Sequence, residues 1–208
     1  MKVTKLTGSA HIAERYYLET ESGESLKINL AMIADFSLFT GRELTEEEWE
    51  ELQKASNRYL AREKALRSAG SRAMSRKELE KKLEQKGVDA ESASGAVEWM
   101  ESIGAINDAE YAGMVVRHYA ASGYGMGRIR EELYRRGVPK ELWEEALGQL
   151  PEPDDTLDRL VSTRLRGECD PKKIKKLTDM LLRRGFGWEE IKSALRRYGT
   201  ELENDEEC

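Results

Sequence analysis

The chain has 208 residues, which is long enough to bury a core, and a net charge of −6. Charged residues make up 36% and apolar residues 39%, a composition that is ordinary for a soluble, strongly helical protein. No stretch approaches the roughly 18 uninterrupted apolar residues that a membrane span requires, and residues 1–6 lack the apolar run of a signal peptide. Two cysteines and two histidines, far apart in sequence, argue against a structural zinc site. We therefore expect a cytoplasmic, reduced protein that needs no metal or other cofactor and contacts no membrane.

The first 57 residues are predicted to form a β-hairpin followed by a linking helix. Apolar residues alternate on either side of a polar turn at residues 21–24, and this period of two is typical of paired strands. Because an isolated hairpin is marginal in water, residues 3–6 are expected to add a strand and residues 31–39 a short helix. Thr45 and Glu48 have the spacing of a capping box, so the linking helix is expected to begin there.

Three sets of residues with the same spacing divide the remaining chain. Each set has two apolar residues four positions apart and a glycine four positions further on: Leu79, Leu83 and Gly87; Ile129, Leu133 and Gly137; Leu177, Leu181 and Gly185. A second helical pattern follows each glycine, with apolar matches at 96, 97 and 100, at 146, 147 and 150, and at 194, 195 and 198. Self-similarity with a period near 50 residues is typical of stacked supersecondary units. The sequence therefore predicts a mainly α fold of three tandem three-helix repeats in an elongated array, with a small N-terminal β-hairpin and helix extension.

Helix start and stop signals set the predicted boundaries. The extension takes residues 1–57, the repeats take 58–107, 108–152 and 153–199, and residues 200–208 form an acidic tail too poor in apolar residues to fold. Ser75, Asp108 and Asp170 are expected to cap helices, and Pro171 suits a first helical position. Each repeat glycine stands where the end of a second helix favours a left-handed residue.

No catalytic constellation is apparent, so we expect a protein that is not an enzyme. His118 lies beside Tyr119 on a predicted helix, where a surface or partly packed histidine is the simplest interpretation. Cys169 has no histidine near it in sequence to activate its thiol. The glycine-rich segment 123–127 resembles a phosphate loop only superficially, because it follows a helix and lacks the Gly-Lys-Ser/Thr ending. We interpret it as an interhelical turn.

Basic residues are concentrated in two segments of this acidic chain. Residues 58–87 carry a net +6 and residues 159–197 a net +7, whereas residues 88–158 carry −9. On each second helix the apolar pair faces the core, so the cations between must point outward and are expected to form a discontinuous basic track. Such a track fits a phosphate backbone or an acidic groove on a protein, and the alternative is a set of solvated helix faces. The predicted site residues are Arg76, Lys77, Lys81, Lys82, Arg128, Arg130, Arg135, Arg136, Lys172, Lys173, Lys175, Lys176, Arg183 and Arg184.

Three stretches resemble the RecX regulatory proteins, over about residues 58–198. Residues 75–88, with Glu78, Leu79 and the Lys86-Gly87-Val88 ending, resemble the first repeat of that family. Residues 104–112, which contain Asn107-Asp108, resemble the junction into the second repeat. Residues 127–133 (GRIREEL) together with Arg136-Gly137-Val138 are similar to the family's most characteristic stretch. The acidic balance and acidic tail depart from the family's pattern.

This resemblance implies a curved, elongated array of the three repeats and a modulator of the RecA recombinase, in the context of DNA repair, recombination and the SOS response. It implies a protein in the helical groove of the RecA–single-stranded DNA filament that inhibits filament growth, ATP turnover and strand exchange, and that meets single-stranded DNA weakly or through the filament. The residues alone leave open whether a recombinase is inhibited or stabilised. They also leave two alternatives: a sequence-independent nucleic-acid-binding helical repeat without a recombinase partner, and a scaffold that works through the acidic middle repeat. Nothing in the sequence requires more than a monomer.

Overall fold

A computed structural model of the chain describes residues 1–150, 153–165 and 170–199. The strands are β1 (Val3–Gly8), β2 (Arg15–Thr20) and β3 (Ser25–Asn29). The helices are α1 (Leu30–Asp35), α2 (Glu46–Ala69), α3 (Arg76–Gln85), α4 (Ala90–Ser102), α5 (Asp108–Ala121), α6 (Met126–Arg135), α7 (Trp143–Leu147, preceded by the 3₁₀ turn Lys140–Leu142), α8 (Pro153–Leu165), α9 (Pro171–Arg183) and α10 (Trp188–Arg197). They form two compact units, one of Met1–Ala73 with Glu78–Ile106 and one of Met74–Lys77 with the described residues from Asn107 onward.

The first unit begins with a three-stranded antiparallel sheet in the order β1-β2-β3. Leu18 of the middle strand lies opposite Leu6 of β1 and Leu26 of β3, so the three leucines share one face. Leu18 is fully buried there, in a cluster that also contains Trp49 and Leu52 from α2. The predicted hairpin and the additional strand over residues 3–6 are both confirmed.

Helix α2 runs without a break for 24 residues and contains both the predicted linking helix and the predicted first helix of repeat one. The two are continuous because the buried stripe passes from Leu52 through Ala61 and Ala65 with no glycine or proline to interrupt it. The start is the predicted capping box: Thr45 Oγ1 accepts from the Glu48 amide at 3.1 Å, and the Glu48 carboxylate accepts from the Thr45 amide at 2.9 Å.

Polar contacts attach α2 to the sheet. Ser56 Oγ donates to the carbonyl of Lys27 at 2.8 Å, and the Arg15 guanidinium donates to the Glu63 carboxylate. Ser56 is buried and the side chains of Arg15 and Glu63 are only 10% and 22% exposed, so these contacts hold the sheet and α2 in a defined register.

The helical repeats follow the predicted spacing. The apolar pair on each second helix (α3, α6 and α9) is buried, as are the matching positions on the third helices, Ala96 and Val97, Ala146 and Leu147, and Ala194 and Leu195. Repeats two and three have separate apolar clusters, one built from α5, α6 and α7 and the other from α8, α9 and α10. The three turn glycines have φ angles of +74°, +69° and +85° at Gly87, Gly137 and Gly185, in the left-handed region that was predicted.

One predicted helix cap is wrong. Asn107, not Asp108, caps α5: its side chain accepts from the amides of Ala109 and Glu110 at 3.0 and 3.2 Å. Asp108 is therefore already the first helical residue, and its carboxylate accepts from the Arg76 amide at 2.8 Å, at the start of α3. The predicted cap and first-position proline at Asp170 and Pro171 are confirmed, with Asp170 Oδ1 accepting from the Lys172 amide at 3.1 Å.

Candidate functional site

The candidate site residues lie on three second helices: α3, most of which belongs to the first unit, and α6 and α9 of the second unit. On each helix the apolar pair is buried, and most of the basic side chains before, between or after the pair are exposed. The three faces nevertheless differ in how their cations are paired, and this difference decides which of them are available to a ligand.

The face of α9 in repeat three carries the least compensated positive charge. Lys172, Lys175 and Lys176 are exposed, and their ammonium groups form no ion pair within the described part of the chain. Lys173 is exposed on the same helix. Arg183 donates to the backbone carbonyl of Asp179 at 3.1 Å, and because a carbonyl is neutral this hydrogen bond does not compensate the charge of the guanidinium. Closely spaced exposed ammonium groups can each meet a phosphate or carboxylate oxygen.

On α6 the predicted site residues gather around a buried carboxylate. Glu132 is only 2% exposed, and its oxygens accept from Arg128 at 3.1 Å and from Arg135 at 2.6 and 3.1 Å. Arg136 lies 3.5 Å from the same carboxylate and donates to the hydroxyl of Tyr111 at 2.7 Å. Three arginines around one carboxylate leave an excess of positive charge, with the guanidinium groups held in place by their shared partner.

The pKa of Glu132 reflects this arrangement. Burial raises the pKa of the carboxyl, but hydrogen bonds from Arg135 and Tyr119 and the charges of Arg135 and Arg136 outweigh burial and lower it below the ordinary value. The carboxylate is therefore ionised at neutral pH. In turn, the hydrogen bond to Glu132 raises the pKa of Arg135.

Sequence reasoning did not single out Glu132, although a signal was present. Glu132 lies next to the core-facing positions of Ile129 and Leu133, which places it at the edge of the buried helix face. Arginines stand four residues before it and three and four residues after it, and side chains at these spacings are neighbours on a helix. The remaining predicted residue of α6, Arg130, makes a long 3.6 Å pair with the exposed Glu144.

The site residues of α3 fall into two groups. Lys81 is exposed and Lys82 half-buried, and neither makes an ion pair among the residues the structure describes. Arg76 and Lys77 lie at the start of the helix, where the stem of Lys77 covers Gly137 so closely that a Cβ on that glycine would collide with it. Ser75 Oγ donates to the carbonyl of Arg136, just before the same glycine.

Backbone contacts within the second unit join repeats two and three. The amides of Gly125 and Gly127 donate to the carbonyls of Arg184 and Gly185 at 2.8 and 2.9 Å. A Cβ on Gly125 would lie 2.5 Å from the Gly185 oxygen, so the two backbones are in direct contact. The glycine-rich segment is an interhelical turn, as predicted, and these two amides are used by the protein itself and not by a phosphate.

Arg184 belongs to this junction as well. Its Nη1 donates to the carbonyl of Gly123 at 3.3 Å, and its guanidinium lies over the ring of Tyr124 at 5.7 Å. Among the predicted site residues, Arg184 thus has a structural task that the sequence pattern did not indicate.

The groups with other chemical potential are not assembled into a reactive site. His118 is exposed and packs edge-to-face on Tyr119, with ring centroids 5.4 Å apart. Cys169 lies outside the described residues. In the portion that is described, no cluster of three or more histidine, cysteine or acidic side chains is placed to bind a metal ion, and no helix there is long and apolar enough to span a bilayer.

Comparison with known proteins shows which family has this arrangement. Residues 61–100 match the model of the first three-helix domain of RecX, and residues 107–147 match that of its second three-helix domain. The regulatory protein RecX of Xanthomonas campestris pv. campestris (strain B100) is 37% identical over 126 residues, which are 59% of this chain and 77% of the relative. The chain belongs to the RecX family.

Other members extend the similarity over more of the chain. The regulatory protein RecX of Streptococcus gordonii is 25% identical over 211 residues and covers all of this chain and 80% of its own length. A crystal structure of a regulatory protein RecX has a TM-score of 0.72 at 21% identity and covers 92% of this chain and 98% of its own. The crystal structure of RecX from Lactobacillus salivarius has a TM-score of 0.62 at 22% identity, over 70% of this chain and 98% of its own. The two structures confirm the RecX fold.

Proposed function

We propose that this RecX-family chain is a non-enzymatic regulator of the RecA recombinase. It binds the RecA–single-stranded DNA filament as a monomer in the cytoplasm, in the helical groove, and inhibits filament growth, ATP turnover and strand exchange. The observation that carries the proposal is the exposed, uncompensated charge of Lys172, Lys175 and Lys176 on α9, in a chain whose relatives are named regulatory proteins.

Tandem basic helices suit a filament because a filament is itself a repeating surface. Each second helix can contribute a modest electrostatic contact, and linked contacts reinforce one another through effective concentration. The contributions differ between repeats: the cations of α6 are partly neutralised by Glu132, whereas Lys172, Lys175 and Lys176 are not compensated within the described residues. We therefore assign the largest share of binding to repeat three.

The decisive experiment is a titration of the DNA-dependent ATPase of RecA on single-stranded DNA. We expect the full chain to lower ATP hydrolysis at or below stoichiometric amounts at low salt. If a large excess of the protein leaves both ATP hydrolysis and filament length unchanged, the proposal is wrong. A rise in filament lifetime would instead show a stabilising regulator.

The role of α9 is tested by charge reversal with a matched control. Lys172→Glu combined with Lys176→Glu should raise the protein concentration for half-inhibition by at least about tenfold, because two attractive contacts become repulsive. Lys2→Glu combined with Lys54→Glu changes the net charge equally at exposed positions outside the site and should leave inhibition nearly unchanged. Equal loss in both pairs would indicate a general charge effect and contradict the assignment to repeat three.

The second candidate, a sequence-independent nucleic-acid-binding protein without a recombinase partner, is favoured by the same uncompensated lysines. It differs in predicting tight binding to naked single strands with a steep dependence on salt, since each neutralised phosphate releases counterions. Strong binding to bare DNA together with an unaffected ATPase would favour this candidate over the first.

A further inference from the structure

Tyr134 on α6 is the most exposed tyrosine of this chain. All eight tyrosines lie within the described residues, and the other seven are buried or half-buried. The side chain of Tyr134 is 71% exposed. Arginines cover the rings of Tyr111 and Tyr124, but no aromatic or guanidinium group stacks on Tyr134 within the described part of the chain. Most of the Tyr134 surface is therefore open to solvent.

The surroundings of Tyr134 are cationic and partly fixed. Arg135 is next to it and 66% exposed, yet its guanidinium is held by the Glu132 carboxylate instead of lying over the tyrosine ring. Arg130, one helical turn earlier, is 49% exposed. Its 3.6 Å pair with Glu144 is long and exposed, so a phosphate can replace it at little cost. The neighbouring acid on the same helix, Glu131, is paired with Arg128 at 2.6 Å.

A largely exposed aromatic ring on a helix that also exposes Arg130 and Arg135 has a defined chemical preference. Single strands present a π-face on every base and a phosphate on either side of it, and proteins bind them by combining aromatic stacking with backbone cations. A duplex offers phosphates but hides its base faces, and an acidic protein surface needs the cations but not the flat ring. The combination at Tyr134 thus matches a single-stranded nucleic acid.

We propose that Tyr134 is a base-stacking residue for single-stranded DNA, with Arg130 and Arg135 contacting the flanking phosphates. The inference rests on the proposed function in that it names the strand as a direct contact of repeat two. It also goes further, because this contact requires a base and is not satisfied by backbone charge alone. The lysines of α9 then supply sequence-independent phosphate binding, whereas α6 distinguishes an unstacked strand from a duplex.

The test uses the full chain and two fluorescent oligonucleotides of equal length, oligo-dT and the same backbone with abasic sites, at low salt. Tyr134→Ala should weaken binding of oligo-dT by about 5- to 30-fold, as expected for the loss of one stacked base. It should leave binding of the abasic strand within about twofold. Tyr134→Phe keeps the ring and should bind oligo-dT as the natural protein does.

Two controls distinguish base stacking from a general loss of exposed apolar surface or of positive charge. Phe39→Ala removes another exposed aromatic, 58% accessible in the first unit, and should change neither affinity. Arg130→Glu should weaken binding of both strands, because the abasic backbone keeps its phosphates. Circular dichroism melts of all variants should coincide with that of the natural protein, since each altered side chain is exposed.

Each possible result separates this inference from the proposed function. Base stacking is refuted if Tyr134→Ala weakens binding of oligo-dT and of the abasic strand equally, or weakens neither. It is also refuted if the natural protein does not bind oligo-dT at all. In these cases the ATPase titration still decides the regulatory role. If Tyr134→Ala abolishes inhibition of RecA without affecting oligo-dT, the ring contacts the recombinase protein and the inference is wrong. If the oligonucleotide results are as expected but the natural protein does not affect RecA, the stacking inference stands and the proposed regulation of RecA is wrong.

Discussion

Glu132 is the residue on which the basic face of repeat two depends. Its carboxylate is buried, and its charge is balanced by Arg128, Arg135 and Arg136. A carboxylate taken out of water is stabilised only when its partners remain, and removing one side of such a pair leaves the other uncompensated. Glu132 therefore contributes both to the stability of repeat two and to the placement of the guanidinium groups in the candidate site.

Replacing Glu132 by glutamine should lower the free energy of unfolding by about 2–3 kcal/mol, less than for a fully enclosed ion because the arginines also reach solvent. Urea denaturation of the full chain measures this change. Glu131→Gln is the matched control: it removes an exposed carboxylate from the same helix and should leave stability nearly unchanged. Equal effects in the two variants would contradict a special role for the buried carboxylate.

The pH dependence of the Glu132 contribution follows from the direction of its pKa shift. The folded protein holds the pKa of Glu132 below the ordinary value of 4.5, so the carboxylate stabilises the fold fully above that value. The contribution is lost as the pH falls through the lower, folded pKa. Between about pH 6 and pH 3, the free energy of unfolding should thus fall more steeply with decreasing pH in the natural protein than in Glu132→Gln. Parallel curves would show that the shift contributes nothing.

At the scale of secondary-structure elements, the turn after a second helix has two different roles. Gly137 and Gly185 allow the left-handed turn and also receive the start of another second helix, α3 or α6. Gly87 has the same backbone conformation, but no atom lies within 4 Å of the Cβ position, and Lys64 Nζ donates to the carbonyl of Lys86 beside it at 3.1 Å. The three turn glycines thus share one sequence pattern, but only Gly137 and Gly185 are in close contact with another helix.

This difference gives a matched pair of glycine variants. Gly87→Ala should cost only the left-handed backbone penalty, about 1 kcal/mol. Gly185→Ala adds a collision with the backbone of Arg128 and the loss of the junction hydrogen bonds, so its cost should reach about 3 kcal/mol. Thermal unfolding gives the two costs, and amide exchange at Gly125 and Gly127 should accelerate only in Gly185→Ala. Equal destabilisation without a change in exchange would show that the junction is not a stabilising contact.

On the scale of the whole molecule, an acidic protein must bind a polyanion through local charge. The net charge of −6 repels a phosphate backbone at long range, but screening limits this repulsion to roughly 8 Å in physiological salt. Short-range contacts by the uncompensated lysines then dominate, and binding should be sensitive to salt.

The slope of this salt dependence counts the contacts. Lys172→Ala combined with Lys176→Ala should reduce the magnitude of the slope of log K against log salt by about 1.4 for single-stranded DNA, or about 0.7 for each lost phosphate contact. Fluorescence anisotropy over a salt series provides the measurement. Lys54→Ala should leave the slope unchanged, and an unaltered slope in the double variant would place the phosphate contacts elsewhere.

The sequence alone determined the helical architecture of this protein. The apolar pairs of each second helix, the turn glycines, the capping box at Thr45 and the strands around Leu18 were all predicted from local spacing, because helix and strand periods are properties of neighbouring residues. The family followed from the same short stretches.

Only the tertiary structure decided which predicted cations are available. Arg184 and Lys77 were predicted, like Lys176, to point outward from their helices, yet they pack against Tyr124 and Gly137, which are distant in sequence. The exposure of Tyr134 and the absence of any stacked neighbour in the described residues likewise follow from packing between helices. Helical period assigns a side chain to a face, but its partners are set by how separate segments come together, and local spacing carries no information about that.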